Sequence, residues 1–472
     1  MVMTCEPGVT WTTETWNGEW KNPHSMLWAV IVGGFLMCFM AFGIGANDSA
    51  NSWGTSVGSK AISLRLAMII GGCMEFLGAT TLGYGVSTTI QKGVSQITDP
   101  DCFACGYCDS KMSLFMVAML SALFGAAVFL LLATFTAMPV STTHAIVGAS
   151  VGGAIVATSF ACLNWSWHGG LTAIIASWFI SPIFSGMIGI IMYLLTYHFI
   201  VNTSSNAEKR AILSLPLLYG VTTTGLSMLI LIKSKPLKSL HTGVKFLMAL
   251  GLGLVIGLLA QFLLVPFVKR KIQQKRKDSD SYLEMSDFQE EADYTSEKNL
   301  DLEGFTNGNG TDAGRNNVGA DDVGTAKIDS ESDNTITGEN NSPSEGTEVN
   351  VLGTVQTRSA GRYTAIFVFQ YLLVFVAAWE SFAHGANDTA NATGAFAAIY
   401  TTYKNGFSVS SCQAMATPVW VMAIGGLFVF IGMNVLGGRV IRTVGENITE
   451  VNFHTGIHNV SLEQKCLHKI VI

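Results

Sequence analysis

Apolar residues lie in long, nearly unbroken runs separated by short polar stretches. Runs near 26–46, 66–86, 112–135, 138–161, 171–200, 211–232, 243–268, 364–386 and 416–438 are each long enough to predict a membrane-crossing helix. The fold class expected is an all-α integral membrane protein. Gly251, Gly253 and Gly257 read as close helix packing and not as a nucleotide fingerprint, because no strand–turn context precedes them. Residues 1–25 are polar, and the first apolar run reads as an uncleaved anchor.

Composition sharpens this picture. The 472 residues are 49% apolar and 13% charged, against roughly 25% charged in soluble domains. Between Lys269 and Arg362 there are 11 Lys/Arg and 19 Asp/Glu, which leaves the remaining chain about 8% charged. The net charge of −6 therefore belongs to one acidic segment. No basic stripe with interleaved aromatics is present, so nucleic acid is excluded as a partner. Residues 278–358, rich in Asp, Glu, Ser, Gly, Asn and Thr, predict a disordered loop, with serines that read as solvated linker or as phosphosites.

The cluster Lys269, Arg270, Lys271, Lys275, Arg276 and Lys277 follows the seventh run and places that end in the cytoplasm. The N-terminus is then outside. Lys60, Arg65, Lys209 and Arg210 fall inside as the rule requires, whereas Lys233, Lys235 and Lys238 fall outside against it. The domains expected are an extracellular segment 1–25, a membrane half 26–268, a cytoplasmic loop 269–362, a partial second half 363–456 and an atypical polar tail 457–472. Cys102, Cys105 and Cys108 form a C-x2-C-x2-C cluster in a loop predicted to be outside. Two of the three pairing with each other, or a metal site lacking its fourth ligand, are the functional readings.

The phrase Gly45-Ala46-Asn47-Asp48-Ser49-Ala50-Asn51 recurs as Gly385-Ala386-Asn387-Asp388-Thr389-Ala390-Asn391. A second match pairs 71–89 with 425–443 without gaps, sharing Gly71, Gly72, Phe76, Gly78, Leu82, Gly83, Val86 and Thr89. Two matches in order indicate a duplication. An odd number of predicted crossings between the copies gives them opposite orientations, the arrangement of an inverted-repeat transporter with broken or re-entrant helices.

Ionisable residues at membrane depth are costly and mark function. They are Asp48, Glu75, His144, Glu380, His384 and Asp388. Asn47, Asp48 and Asn51, and their copies Asn387, Asp388 and Asn391, converge if a helix breaks there, and Gly43, Gly45 and Gly54 favour a break. A carboxylate with amide oxygens suits a hard monovalent cation such as Na⁺ at Asp48 and Asp388, or a proton in its place. Pro139-Val140-Ser141-Thr142-Thr143-His144 predicts a helix restart after the proline. Its three hydroxyls and free N–H groups form a cup for an oxyanion, or else merely cap a helix. A Ser/His nucleophile is rejected for want of an orienting acid and an elbow motif, so no enzyme is expected. The similar string Val86-Ser87-Thr88-Thr89 lacks the proline and reads as a decoy. An oxyanion and the aspartates repel unless a cation lies between them, so binding of each favours the other.

These strings, with GANDSANSWGTSVGSKA at 45–61, EFLGA at 75–79, MPVSTTHAIVGA at 138–149, SWFISPIFSG at 177–186 and HGANDTANATGAFAAI at 384–399, resemble the inorganic phosphate transporter family of sodium- or proton-coupled symporters. The resemblance implies inorganic phosphate and Na⁺ or H⁺ as partners within a lipid bilayer, no cofactor, and a multi-pass protein of the plasma membrane, with a homodimer admissible. It assigns phosphate to Ser141, Thr142 and Thr143, joined by Glu75 and His384, and cations to Asn47, Asp48, Asn51, Asn387, Asp388 and Asn391. The family pattern also carries a second hydroxyl element, which the repeat offset places near position 498. A sequence cut short of the full protein is one expectation; a short protein that senses phosphate without transporting it is the other.

Overall fold

A computed structural model describes residues 22–83, 93–107, 110–201, 206–233, 239–277, 346–406, 412 and 417–448. The Val86–Thr89 string, Cys108, the 457–472 tail and most of residues 1–25 and 278–358 lie outside them. The chain divides into two units, one of Met1–Val265 with Ala360–Ile472 and one of Pro266–Ser359.

The described structure is helical. In the first unit α1 (Leu27–Asn47), α2 (Ala50–Gly58) and α3 (Leu64–Leu82) are followed by α4 (Met112–Phe135) and α5 (Thr142–Ala157). Then come α6 (Leu171–Thr196), α7 (Ala207–Lys233) and α8 (Thr242–Leu259), the last continuing to Lys277 as one 36-residue rod. α9 (Gly346–Asn405) starts in the second unit and ends in the first, and α10 (Val419–Gly432) follows.

Eight helices among the described residues are long and apolar enough to cross a membrane. The run at 138–161 forms a helix too short to be among them, yet Cys162 beyond it is bonded to Cys102 ahead of α4, so α5 returns the chain to the side from which α4 starts. Its helix is the 16-residue α5, about 24 Å long against a core of about 30 Å. Ala137 adopts a positive φ of 56° ahead of Pro139, and the helix restarts only at Thr142, with Ser141 as its N-cap. Thr158 leaves helical geometry at the other end.

The duplication appears as contacts that exchange with each other. A side chain at Gly45 would overlap the Val429 carbonyl, and one at its copy Gly385 would overlap the Glu75 carbonyl; Val429 is itself the copy of Glu75. Gly78 against Phe382 likewise exchanges with Gly432 against Phe42, and Gly72 against Phe430 with Gly426 against Phe76. A contact set that maps onto itself when two copies are swapped requires a two-fold axis. Along α3 and α10, Gly71 meets Met433 while Gly83 meets Met422, so these equivalent helices run antiparallel and the axis lies across them. That is inverted topology.

The cysteine-bearing loops also differ from expectation. Cys102 pairs with Cys162 and Cys105 with Cys412, so neither bonds within its own cluster. The cause is packing: the 94–105 loop lies against residues 162–164, joined by Gln96 N–H to the Cys162 carbonyl at 2.9 Å and Asn164 N–H to the Val94 carbonyl at 2.9 Å. Cys102 and Cys162 are thereby brought to a Cα separation of 5.5 Å, and Cys105 and Cys412 lie 5.6 Å apart, both within bonding range.

Backbone carbonyls cannot rotate away from an added methyl group. Gly45→Ala and Gly385→Ala are each expected to destabilise the bundle by roughly 1–3 kcal/mol, whereas Gly251→Ala, with open space around it, is expected to be neutral. Thermal unfolding of the detergent-solubilised proteins checks this, and equal midpoints for all three would contradict it.

Candidate functional site

The buried centre of the first unit gathers side chains from both copies of the repeat. α1 interrupts its helix at Asp48–Ser49 before α2 begins at Ala50. The second copy is not broken, contrary to expectation: Asp388 lies within the continuous α9. The glycine at position 43 has Ala383 as its counterpart, one flexible position fewer.

Both aspartates reach one hydroxyl. Thr142 Oγ1 is 2.9 Å from Asp48 Oδ2 and 3.1 Å from Asp388 Oδ2, and it accepts from Asn391 Nδ2 at 3.1 Å. A threonine has a single O–H to donate, so it serves one carboxylate at a time. His384 Nε2 lies 3.5 Å from Asp48 Oδ2 and 3.4 Å from Asp388 Oδ2, while its Nδ1 is 2.7 Å from Glu75 Oε1. One ligand atom from each of Asp48, His384 and Asp388 fits within a 4.8 Å cluster. Asn51 Nδ2 donates to Asp48 Oδ1 at 2.6 Å, and Asn391 Nδ2 also donates to Thr143 Oγ1 at 3.1 Å.

Three of the expected site residues are engaged elsewhere. Asn47 brackets Pro139: its Nδ2 donates to the Met138 carbonyl at 2.9 Å and its Oδ1 accepts from Val140 N–H at 2.8 Å. Its Nδ2 also reaches Thr134 Oγ1 at 3.2 Å. Asn387, identical in sequence context, donates to the Ala383 carbonyl of its own helix. Ser141 Oγ caps α5 by accepting from His144 N–H at 3.4 Å. His144 itself packs on Trp178, ring centroids 4.0 Å apart.

The two-fold breaks at the same place. Exchanging the copies turns Glu75 and His384 into Val429 and Ile44, both fully buried, so the ionisable pair stands on one side only. Sequence reasoning also missed Trp53, whose Nε1 donates to Ser381 Oγ at 2.7 Å and ties the copies together. The repeat offset, which aligns Trp53 with Thr393, gave no sign of it.

Chemically, three carboxyl groups and one imidazole occupy a buried volume. Excess negative charge there is costly unless cations or protons compensate it.

An inverted pair of helical repeats crossing at buried carboxylates is the architecture of a membrane transporter. The chain belongs to the phosphate transporter family, whose sequence profile matches residues 44–461. It is 33% identical over 262 residues to sodium-dependent phosphate transporter 1 of Mus musculus, covering 55% of this chain and 37% of that one. The phosphate-repressible phosphate permease pho-4 of Neurospora crassa is 25% identical, over 90% of this chain and 84% of the permease. A Helicobacter pylori relative, 28% identical, is matched over 90% of this chain but 61% of its own length. The solved structure of "the sodium-dependent phosphate transporter" aligns with a TM-score of 0.65 at 25% identity, over 94% of this chain and 84% of that one.

The unequal bonding of the paired asparagines gives a direct test. Asn47→Ala removes both ends of the Pro139 bracket and is expected to cost roughly 2–4 kcal/mol; Asn387→Ala is expected to cost about 1 kcal/mol. Equal losses in thermal unfolding would contradict the positioning role of Asn47.

Proposed function

We propose that this chain carries inorganic phosphate across a membrane with Na⁺ or H⁺ by alternating access. The observation that carries the reading is the convergence of Asp48 and Asp388 on the Thr142 hydroxyl. A cation held by the two carboxylates would compete with that hydroxyl for their oxygens. Thr142 would then turn its O–H toward an incoming anion, beside Thr143 and Ser141 at the start of α5. Cation binding thus prepares the phosphate site, and phosphate, once bound, holds the cation in return. His384, bridging Glu75 to both aspartates, sits where it can shift between these partners as the charge changes. Asn51 and Asn391 orient Asp48 and the two threonines. Asn47 shapes the anion loop from behind, and Asn387 stiffens α9 beside Asp388.

Orientation has two supports. Disulfides persist in oxidising surroundings, so the loops holding Cys102, Cys105, Cys162 and Cys412 face outward. Counting crossings from there puts the basic end of α8 on the opposite, cytoplasmic face, as the distribution of Lys and Arg favours. The plasma membrane is the location that fits both.

Uptake into vesicles containing the chain is expected to be phosphate-saturable and cation-dependent. Asp48→Asn and Asp388→Asn are each expected to abolish the cation-dependent part; unaltered sodium and pH dependence in either would defeat the cation assignment. Ser141→Ala with Thr142→Val is expected to raise the half-saturating phosphate concentration at least tenfold, and an unaltered value would remove α5 from the site. Phosphate binding by the wild-type chain without uptake would contradict transport and favour a sensor.

A further inference from the structure

One ring nitrogen at the centre of the bundle makes no hydrogen bond. His384 Nδ1 lies 2.7 Å from Glu75 Oε1. Gly385, next in the chain, lets α9 press against the α3 backbone at Glu75 and so sets this contact. Glu75 as a carboxylate can only accept, which puts the ring hydrogen on Nδ1 and the lone pair on Nε2. That Nε2 is buried and without a hydrogen-bond partner. It faces two carboxylate oxygens, 3.5 Å from Asp48 Oδ2 and 3.4 Å from Asp388 Oδ2.

A lone pair set against two anionic oxygens is unfavourable unless positive charge lies among them. The spacing suits an ion of definite size. Ligands around a tetrahedral Zn²⁺ stand about 3.3–3.4 Å apart, close to both nitrogen–oxygen separations. The fourth position falls to a water or to Thr142 Oγ1, which is 2.9 and 3.1 Å from the same two oxygens. Glu75 stands where a carboxylate orients a metal-binding imidazole through its far nitrogen. Na⁺, Mg²⁺ and Ca²⁺ are served by oxygen alone, whereas Zn²⁺ and Co²⁺ favour an imidazole. Val429 and Ile44 occupy the exchanged positions, so the two-fold does not repeat the arrangement.

We propose that Asp48, His384 and Asp388 bind one divalent transition-metal ion of the Zn²⁺ class. The ion excludes Na⁺ from the two aspartates and ties the first copy of the repeat to the second, which arrests transport. Binding stands without the transport reading; the arrest rests on it. The full chain, purified in detergent without phosphate or sodium, is titrated with Co²⁺, whose visible absorption reports its coordination. One equivalent is expected to bind with a four-coordinate spectrum and to be displaced by Zn²⁺ but not by Mg²⁺. D48N, H384Q and D388N are each expected to weaken Zn²⁺ binding roughly a hundredfold, and E75Q, which leaves all three ligands in place, about tenfold. H144Q, at a histidine packed on Trp178, is expected to change nothing. H384C guards against misfolding of the other variants: it is expected to bind Co²⁺ with a thiolate-to-cobalt absorption absent from the wild type and from H384Q. No four-coordinate spectrum in the wild type would mean that a proton on Nε2 answers the charge, and would overturn the site. A spectrum that survives H384Q, or an H384C variant without the thiolate band, would overturn it equally. In vesicles Zn²⁺ is expected to inhibit phosphate uptake and added Na⁺ to relieve the inhibition; Zn²⁺ carried inward with phosphate would overturn the arrest.

Discussion

Two carboxylates of like sign, delivered by the two copies of a duplicated sequence, meet on one hydroxyl inside the bundle. Everything around that point follows from having to keep such a pair buried. Asn51 holds one oxygen of Asp48, Asn391 fixes the hydroxyl, and His384 stands between both acids with its far nitrogen on Glu75. These contacts mitigate the repulsion without removing it, since one imidazole cannot balance three carboxyl groups. On the proposed reading the site then attracts small cations, and with them accepts an anion.

Bringing the acids together is the work of glycine. Four crossings, Gly45 on Val429, Gly385 on Glu75, Gly78 on Phe382 and Gly432 on Phe42, bring helix backbones to a distance that no side chain would allow. Close approach of this kind is the main source of helix adhesion in lipid, where apolar surface gains nothing by leaving its solvent. The same four contacts express the two-fold relation. The departure from it, an ionisable Glu75–His384 pair opposite buried Val429 and Ile44, makes the two sides of the crossing chemically unequal.

Much of this was legible in the sequence, for definite reasons. Hydropathy is a local property, so the spans could be read directly, and Pro139 announced the restart of α5 because its backbone effect is also local. Hydropathy alone overstated the length of the helix at 138–161, since a window of apolar residues does not register the break that proline imposes. The repeated Asn-Asp motif located the centre. What could not be read was partner choice. Thr142 reaches acids 94 and 246 residues away, and the cysteines pair across 60 and 307. Asn47 and Asn387 are textually equivalent, yet one clamps the Pro139 loop and the other bonds to its own helix. The difference lies in what packs against each, which no short stretch of sequence encodes.

The central claim is a thermodynamic linkage between cation and anion at Asp48, Asp388 and Thr142. Equilibrium binding of phosphate to the purified chain, titrated across sodium concentrations at several pH values, measures it most directly. The account predicts that affinity rises as sodium or proton concentration rises, with a matching rise in cation affinity when phosphate is present. A phosphate affinity indifferent to both ions would contradict it.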